Sequence, residues 1–218
     1  MRVEQPNGAR GSLKWIQCLV DKHPDALDKK LREAGALAVD RHLKWLAPLH
    51  DDKWAEYRDA QFLEKLGHAD LAGELANYWP RRGPQWDALA MDESGRAFLI
   101  EAKAHAREMA STCKAGATSL RMITSSLEES KRALGAKPGS DWTKGYYQYA
   151  NRLAHLHFLR KHAVDAVLVF LYFTGADDIG GPSSEAAWRR HVEAAPAHLG
   201  MPKNTPGVVS IFQDVGNW

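Results

Sequence analysis

Trp86-Asp87-Ala88-Leu89-Ala90, then Asp92-Glu93-Ser94-Gly95, then Ala97-Phe98-Leu99-Ile100-Glu101-Ala102-Lys103 is the stretch on which the fold turns. Two apolar runs of strand length flank a four-residue turn signal, which reads as a β-hairpin. The second run has the character of a core strand, yet it ends in Glu-x-Lys. Residues i and i+2 of a strand face the same way, so Glu101 and Lys103 stand side by side at its end. Asp87 lies on the partner strand, within reach of both. Two acids and a lysine are costly to desolvate without purpose. They suit the binding of a divalent cation and the activation of a water.

Outward from the hairpin, the chain reads as helices and a few further strands. Residues 1–10 read as a mobile arm. A short helix is expected over 12–22, and a second from about Pro24 to before Gly35, with Pro early and Gly just past the end. Residues 37–49 fit either a helix stopped by Pro48 or a strand near 43–47, and the strand is preferred. Asp51 or Asp52 is positioned to cap a helix running to Leu66 and closed by Gly67. After the hairpin come helices near 117–134 and 143–161, separated by a Gly/Pro/Ser break at 135–140. Residues 164–173 are an apolar run with one Asp, the clearest buried strand. Ser183 is the expected cap of a last helix to His198, and 208–215 a closing strand. Strands mixed with helices on both faces imply an α/β architecture around a central sheet. No Gly-rich loop follows a strand, so neither a P-loop nor a dinucleotide fold is supported.

The 218 residues suffice for one sizeable core. Apolar residues make up 44% and charged residues 26%, as in ordinary soluble domains. The net charge of +2 does not announce a nucleic-acid binder, so any basic surface must be local. Cys18 and Cys113 match no zinc or redox spacing and read as free thiols in a reducing compartment. No apolar run approaches the ~20 residues of a membrane span, and the first residues lack a signal-peptide core. A cytoplasmic protein without membrane partners is expected.

Pro84-Gln85-Trp86-Asp87 and, across the hairpin, Glu101-Ala102-Lys103 resemble the site of the PD-(D/E)xK nuclease superfamily. The match departs where Trp86, not Pro, precedes Asp87. The resemblance implies a restriction-endonuclease-like mixed sheet flanked by helices over residues 51–218, with 1–50 an N-terminal helical extension packed on that core. It implies metal-dependent hydrolysis of phosphodiesters in nucleic acid, with DNA the expected substrate. Mg²⁺ or Mn²⁺ would be held by Asp87, Glu101 and the Ala102 carbonyl, since such cations take oxygen ligands. Lys103 would orient the attacking water and stabilise developing charge. The resemblance also calls for a helical Glu to complete the site. Glu56, Glu64 and Glu74 are candidates, and Glu56, on the helix expected before the hairpin, is preferred.

The helix over 143–161 carries Gln148, Asn151, Arg152 and His155 as one polar stripe on an otherwise apolar surface. Some exonuclease-like members of the superfamily carry Gln-x-x-x-Tyr there. Position 152 is Arg in this chain, so only Gln148 is carried over as catalytic. Arg152 is expected to contact phosphate, as are Arg81 and Arg82 before the hairpin. Trp86 should point opposite to Asp87, beneath the sheet. His105 reads as a loop residue. Two rivals remain: a non-catalytic nucleic-acid-binding or assembly module on the same fold, and a glycosidase-like acid/base pair. Lys103 opposes the latter by holding both carboxylates ionised. No second recognition domain is visible, so sequence specificity is expected to come from a homodimer or a protein partner.

Overall fold

Alternation sets the sheet. In β5 (Ala97–Lys103), Ala97 and Leu99 face one hydrophobic cluster while Phe98, Ile100 and Ala102 face another. In β6 (Ala166–Thr174), Leu168, Phe170 and Tyr172 face the first, and Val167, Val169, Leu171 and Phe173 the second. Both strands are buried along their whole length, as expected at the centre of a sheet covered on two faces. These observations come from a computed structural model that describes all residues, 1–218.

The sheet has five strands. β2 (Lys44–Ala47) pairs antiparallel with β4 (Ala88–Met91), and β4 antiparallel with β5. β5, β6 and β7 (Val208–Asp214) run parallel, giving the order β2-β4-β5-β6-β7. Each parallel step needs a crossover. The first contains α5 (Ala117–Ala133) and α6 (Tyr147–Lys161), and the second contains α7 (Glu185–His198). These helices cover the face of Leu99 and Leu168, with α3 (Ala60–Lys65) and α4 (Ala72–Tyr78). α1 (Gly11–Lys22) and α2 (Asp28–Glu33) cover the other face through Ile16, Leu19 and Leu31, with Leu27 just before α2. The result is an α/β fold with a mixed sheet between helical layers.

Several expectations need correction. The helix expected over 51–66 is broken. His50–Asp52 form a 3₁₀ turn, and β3 (Glu56–Tyr57) follows before α3 begins. Lys53, Trp54 and Asp59 have φ of 54°, 53° and 54°, outside the right-handed helical region. Asp52 caps nothing; its carboxylate is taken by Arg2, Tyr57 and Lys65. Glu56 therefore sits on a strand, not on a helix.

The N-terminal arm is not free either. β1 (Arg2–Val3) pairs with β3, Asn7 accepts the indole N–H of Trp54, and Gln17 accepts the Gly8 N–H. Residues 1–50 do pack on the core, but they also supply β2, an edge strand of the sheet itself. α2 is shorter than expected, and Ser184, not Ser183, caps α7 by accepting the Ala187 N–H. α6 starts at Tyr147 because the backbone before it bonds elsewhere: Cys113 N–H to the Thr143 carbonyl, and Ser111 N–H to Gly145. No helix is long and apolar enough to cross a membrane.

Candidate active site

The ladder between β4 and β5 pairs Ala88 with Ile100. One step further along the same register places Asp87 opposite Glu101. Asp87 Oδ2 accepts the backbone N–H of Ala102 at 2.8 Å, which ties the two strand ends together. Glu101 and Lys103 share the α6 face with Leu99, as their spacing requires. Their side chains form an ion pair in which Lys103 Nζ donates to Glu101 Oε1. Both residues are buried. Each large apolar side chain buried around them contributes about 1.5–3 kcal/mol. That reserve offsets the cost of holding charges here.

α6 supplies the counter-charge. Arg152 Nε donates to Glu101 Oε2 at 2.6 Å, and Nη2 lies 2.5 Å from the same oxygen. Nη2 also reaches the Gln85 carbonyl at 2.7 Å, and Nη1 reaches Asn151 Oδ1 at 3.0 Å. The guanidinium lies over the Trp86 ring, 4.9 Å from its centre. Arg152 is 3% exposed, with its donors committed inside the protein. This corrects the expected phosphate contact: Arg152 is the internal partner of Glu101. Arg81 and Arg82 are exposed on the loop before the hairpin. Arg82 N–H and Gly83 N–H donate to the Asp59 carboxylate, and neither arginine side chain touches the acids.

Gln148 lies where its stripe places it. It borders a cleft of about 20 Å³ shared with Glu101, Lys103, Tyr149 and Tyr172, room for about one water. Glu56 arrives by a different route from the one expected. β3 brings its carboxylate to the side-chain amides of Gln85 and Gln5. His105 caps the 3₁₀ turn at Ala106–Met109 and takes no part. Trp86 is fully buried, but against Phe62 and His155, because it bridges to Tyr57 ahead of the β4 ladder. It therefore packs on the α6 side, not beneath the sheet.

Three residues escaped the sequence reading. Gln85 stands two positions before Asp87 and holds both Glu56 and Arg152. Gln5 had no signal, being in the supposed arm. Tyr172 pairs in register with Lys103 on β6, and its buried hydroxyl has no hydrogen-bond partner. Parity with Phe170 could have assigned its face, but not its neighbour.

The electrostatics are those of too few cations. Burial, reinforced by Glu101, raises the Asp87 carboxyl well above the usual range. Burial also pushes Glu56 up to about 7, against the pull of the Gln85 hydrogen bond. Burial alone would raise Glu101, but Arg152 and Lys103 hold it below its ordinary value. Burial would lower Lys103, and Glu101 with Asp87 more than offset it. Three carboxyl groups thus face two cations, so Lys103 keeps Glu101 ionised but, contrary to expectation, not Asp87, whose Oδ1 is left without a hydrogen-bond donor. That donor set fits a hard divalent ion. The one place where three metal-capable side chains bring ligand atoms within 4.8 Å is elsewhere, at Asp25, Asp28 and His42. There Asp28 already receives His42, Arg32 and the Leu43 N–H, which pins the entry to β2.

Glu56 gives a stability test. Its folded pKa near 7 lies above the ordinary 4.5. The fold is therefore penalised fully above pH 7, progressively less towards pH 4.5, and not at all below. The penalty is up to about 3 kcal/mol. Glu56→Gln should raise the melting temperature by about 5–10 °C at pH 8 in chelator and leave it unchanged at pH 4.5. An equal shift at both pH values would mean that the carboxylate is not strained.

Compared with known proteins, the chain matches no protein-family model, no curated protein and no solved structure. The functional reading rests on the site itself.

Proposed function

We propose that the protein is a metal-dependent phosphodiesterase of the PD-(D/E)xK type acting on nucleic acid, with DNA the favoured substrate. One observation carries the reading: Asp87 and Glu101 stand opposite each other at the open end of a ladder, beside Lys103, in a cluster of three carboxyl groups with only two cations. A structural ion-pair cluster would be expected to match each carboxyl group with a cation instead of leaving burial to favour the protonated forms of Asp87 and Glu56. A site for a cation and an anionic substrate would not.

Asp87, Glu101 and the Ala102 carbonyl are the ligands assigned to Mg²⁺ or Mn²⁺. Such an ion, when bound, acidifies a water and neutralises charge on a phosphate. Arg152 fixes the Glu101 carboxylate in one orientation, so the ligand does not have to be ordered on binding. Lys103, on the same face, holds the attacking water and offers positive charge to the phosphate as it gains charge. Gln148, on the cleft wall, offers an amide to the water or the strand. The rival binding module would need nucleic-acid affinity but no turnover.

The metal is the direct test. Millimolar Mn²⁺ should raise the melting temperature of the parent, because it binds only the folded site. Asp87→Asn should lose that response and be more stable than the parent in chelator, since it removes a strained carboxylate. Cleavage of plasmid, linear, single-stranded and RNA substrates should require the metal and vanish in Asp87→Asn. Metal-independent melting in the parent, with no cleavage of any substrate, would overturn the proposal in favour of the binding module.

A further inference from the structure

A second concavity lies one helical turn along α6 from Arg152. It has a volume of about 420 Å³ and is walled by Leu75, Ala76, Trp79 and Pro80. That size and largely apolar wall, with Asp59, Gln61 and Arg81 at its polar edge, suit a small organic group. One polar atom inside it is unusual. His155 is 1% exposed and borders the cavity. Its Nδ1 lies 2.9 Å from the Asn151 carbonyl, which can only accept, so Nδ1 carries the proton. Nε2 is then a bare acceptor, and no group in the protein donates to it. Gly83 keeps that edge open: a Cβ there would stand 3.4 Å from Nε2 and 3.2 Å from Trp79 Cδ1. Burial holds the ring neutral far below physiological pH, so the acceptor persists.

The cavity is tied to the acidic site. The loop that walls it through Pro80 and Arg81 runs on into Asp87. His155 and Arg152 both border the Trp86 ring. The mouth carries Arg81, exposed and cationic, beside the Asp59 carboxylate, whose oxygens are already taken by the Arg82 and Gly83 N–H groups. The occupant that fits is a largely apolar body that presents an N–H or O–H to Nε2 and carries a negative charge for Arg81 at the rim. A nucleotide meets all three demands, because every base carries an N–H group and its phosphate supplies the charge. An unstacked base could enter; a base within a duplex could not. We propose that this cavity receives one extruded or single-stranded nucleobase of the substrate, with His155 Nε2 accepting its N–H and Arg81 holding its phosphate. This rests on the nucleic-acid reading above and narrows the substrate to strands with an unpaired base beside the cut.

Binding can be measured in Ca²⁺ by anisotropy of a fluorescein-labelled single strand, intact or with one abasic position walked along it. Ala76→Trp fills the cavity from an exposed position on α4. His155→Phe keeps the ring packing and removes the acceptor. Ala76→Trp should weaken binding of the intact strand about tenfold and His155→Phe about fivefold. One abasic position should cost the parent the same factor and cost Ala76→Trp nothing. Equal affinity across parent and variants, or an absence of any position effect, overturns the proposal. So does a free mononucleotide that binds while abasic strands bind like intact ones, since the cavity would then serve a free ligand. If His155→Phe does not fold, Ala76→Trp decides. Mn²⁺-dependent cleavage by the parent, measured in parallel, separates the two readings. If cleavage is present and the cavity variants are neutral, only the cavity fails. If cleavage is absent and the abasic effect is intact, only the catalytic reading fails.

Discussion

Lys103→Met should lower turnover of any cleaved substrate by at least about 100-fold, while leaving metal binding intact or stronger. The ammonium lies against Glu101 on the face shared with Gln148. There it can meet the charge that develops on a phosphate, and loss of one such preorganised group typically costs about 10²–10³ in rate. It is also one of only two cations facing three carboxylates. Its removal deepens the negative potential and strengthens the demand for a divalent ion. The melting shift produced by Mn²⁺ should therefore grow in Lys103→Met, whereas a damaged fold would show a smaller one. Methionine keeps the length and apolar stem, so packing changes little. Cleavage at the parental rate would remove Lys103 from the chemistry and leave it a partner of Glu101 alone.

The hairpin was legible because its signals are local. Period-two alternation fixes which residues share a face, so Glu101 and Lys103 could be placed together before any tertiary contact was known. β6 was legible for a similar reason: nine consecutive buried residues admit few alternatives to a central strand. The segment around Glu56 was not legible. Its apolar spacing fits a helix, and helix propensity is overridden by three residues at positive φ and by pairing with β1, more than fifty residues away in sequence. Nothing local announces that pairing. Arg152 stands where the stripe predicts, but its partner is Glu101 and not a phosphate. The stripe on α6 correctly demanded something polar to face, but the sequence could not say whether that was a substrate or Glu101. Parallel register decides such questions, and register between β5 and β6 depends on the length and packing of everything between them.

Arg152→Leu should accordingly destabilise the fold by about 3–5 kcal/mol, the usual cost of leaving one member of a buried ion pair uncompensated. For a chain of this size that is about 6–20 °C in melting temperature. A surface phosphate contact would cost almost nothing in stability and would appear instead in the salt dependence of binding. The two roles are thus separable by melting alone. Glu101→Leu combined with Arg152→Leu should recover much of the loss, because it removes the orphaned carboxylate along with its partner. Mn²⁺ adds a further discrimination. If Glu101 and Asp87 hold a divalent ion, that ion supplies the positive charge that a leucine side chain cannot. Metal should then restore more stability to the single variant than it adds to the parent, and should do little for the double variant, which lacks the ligand. A melting temperature for Arg152→Leu within a degree of the parent, with or without metal, would show that the guanidinium is not what holds Glu101 in the fold.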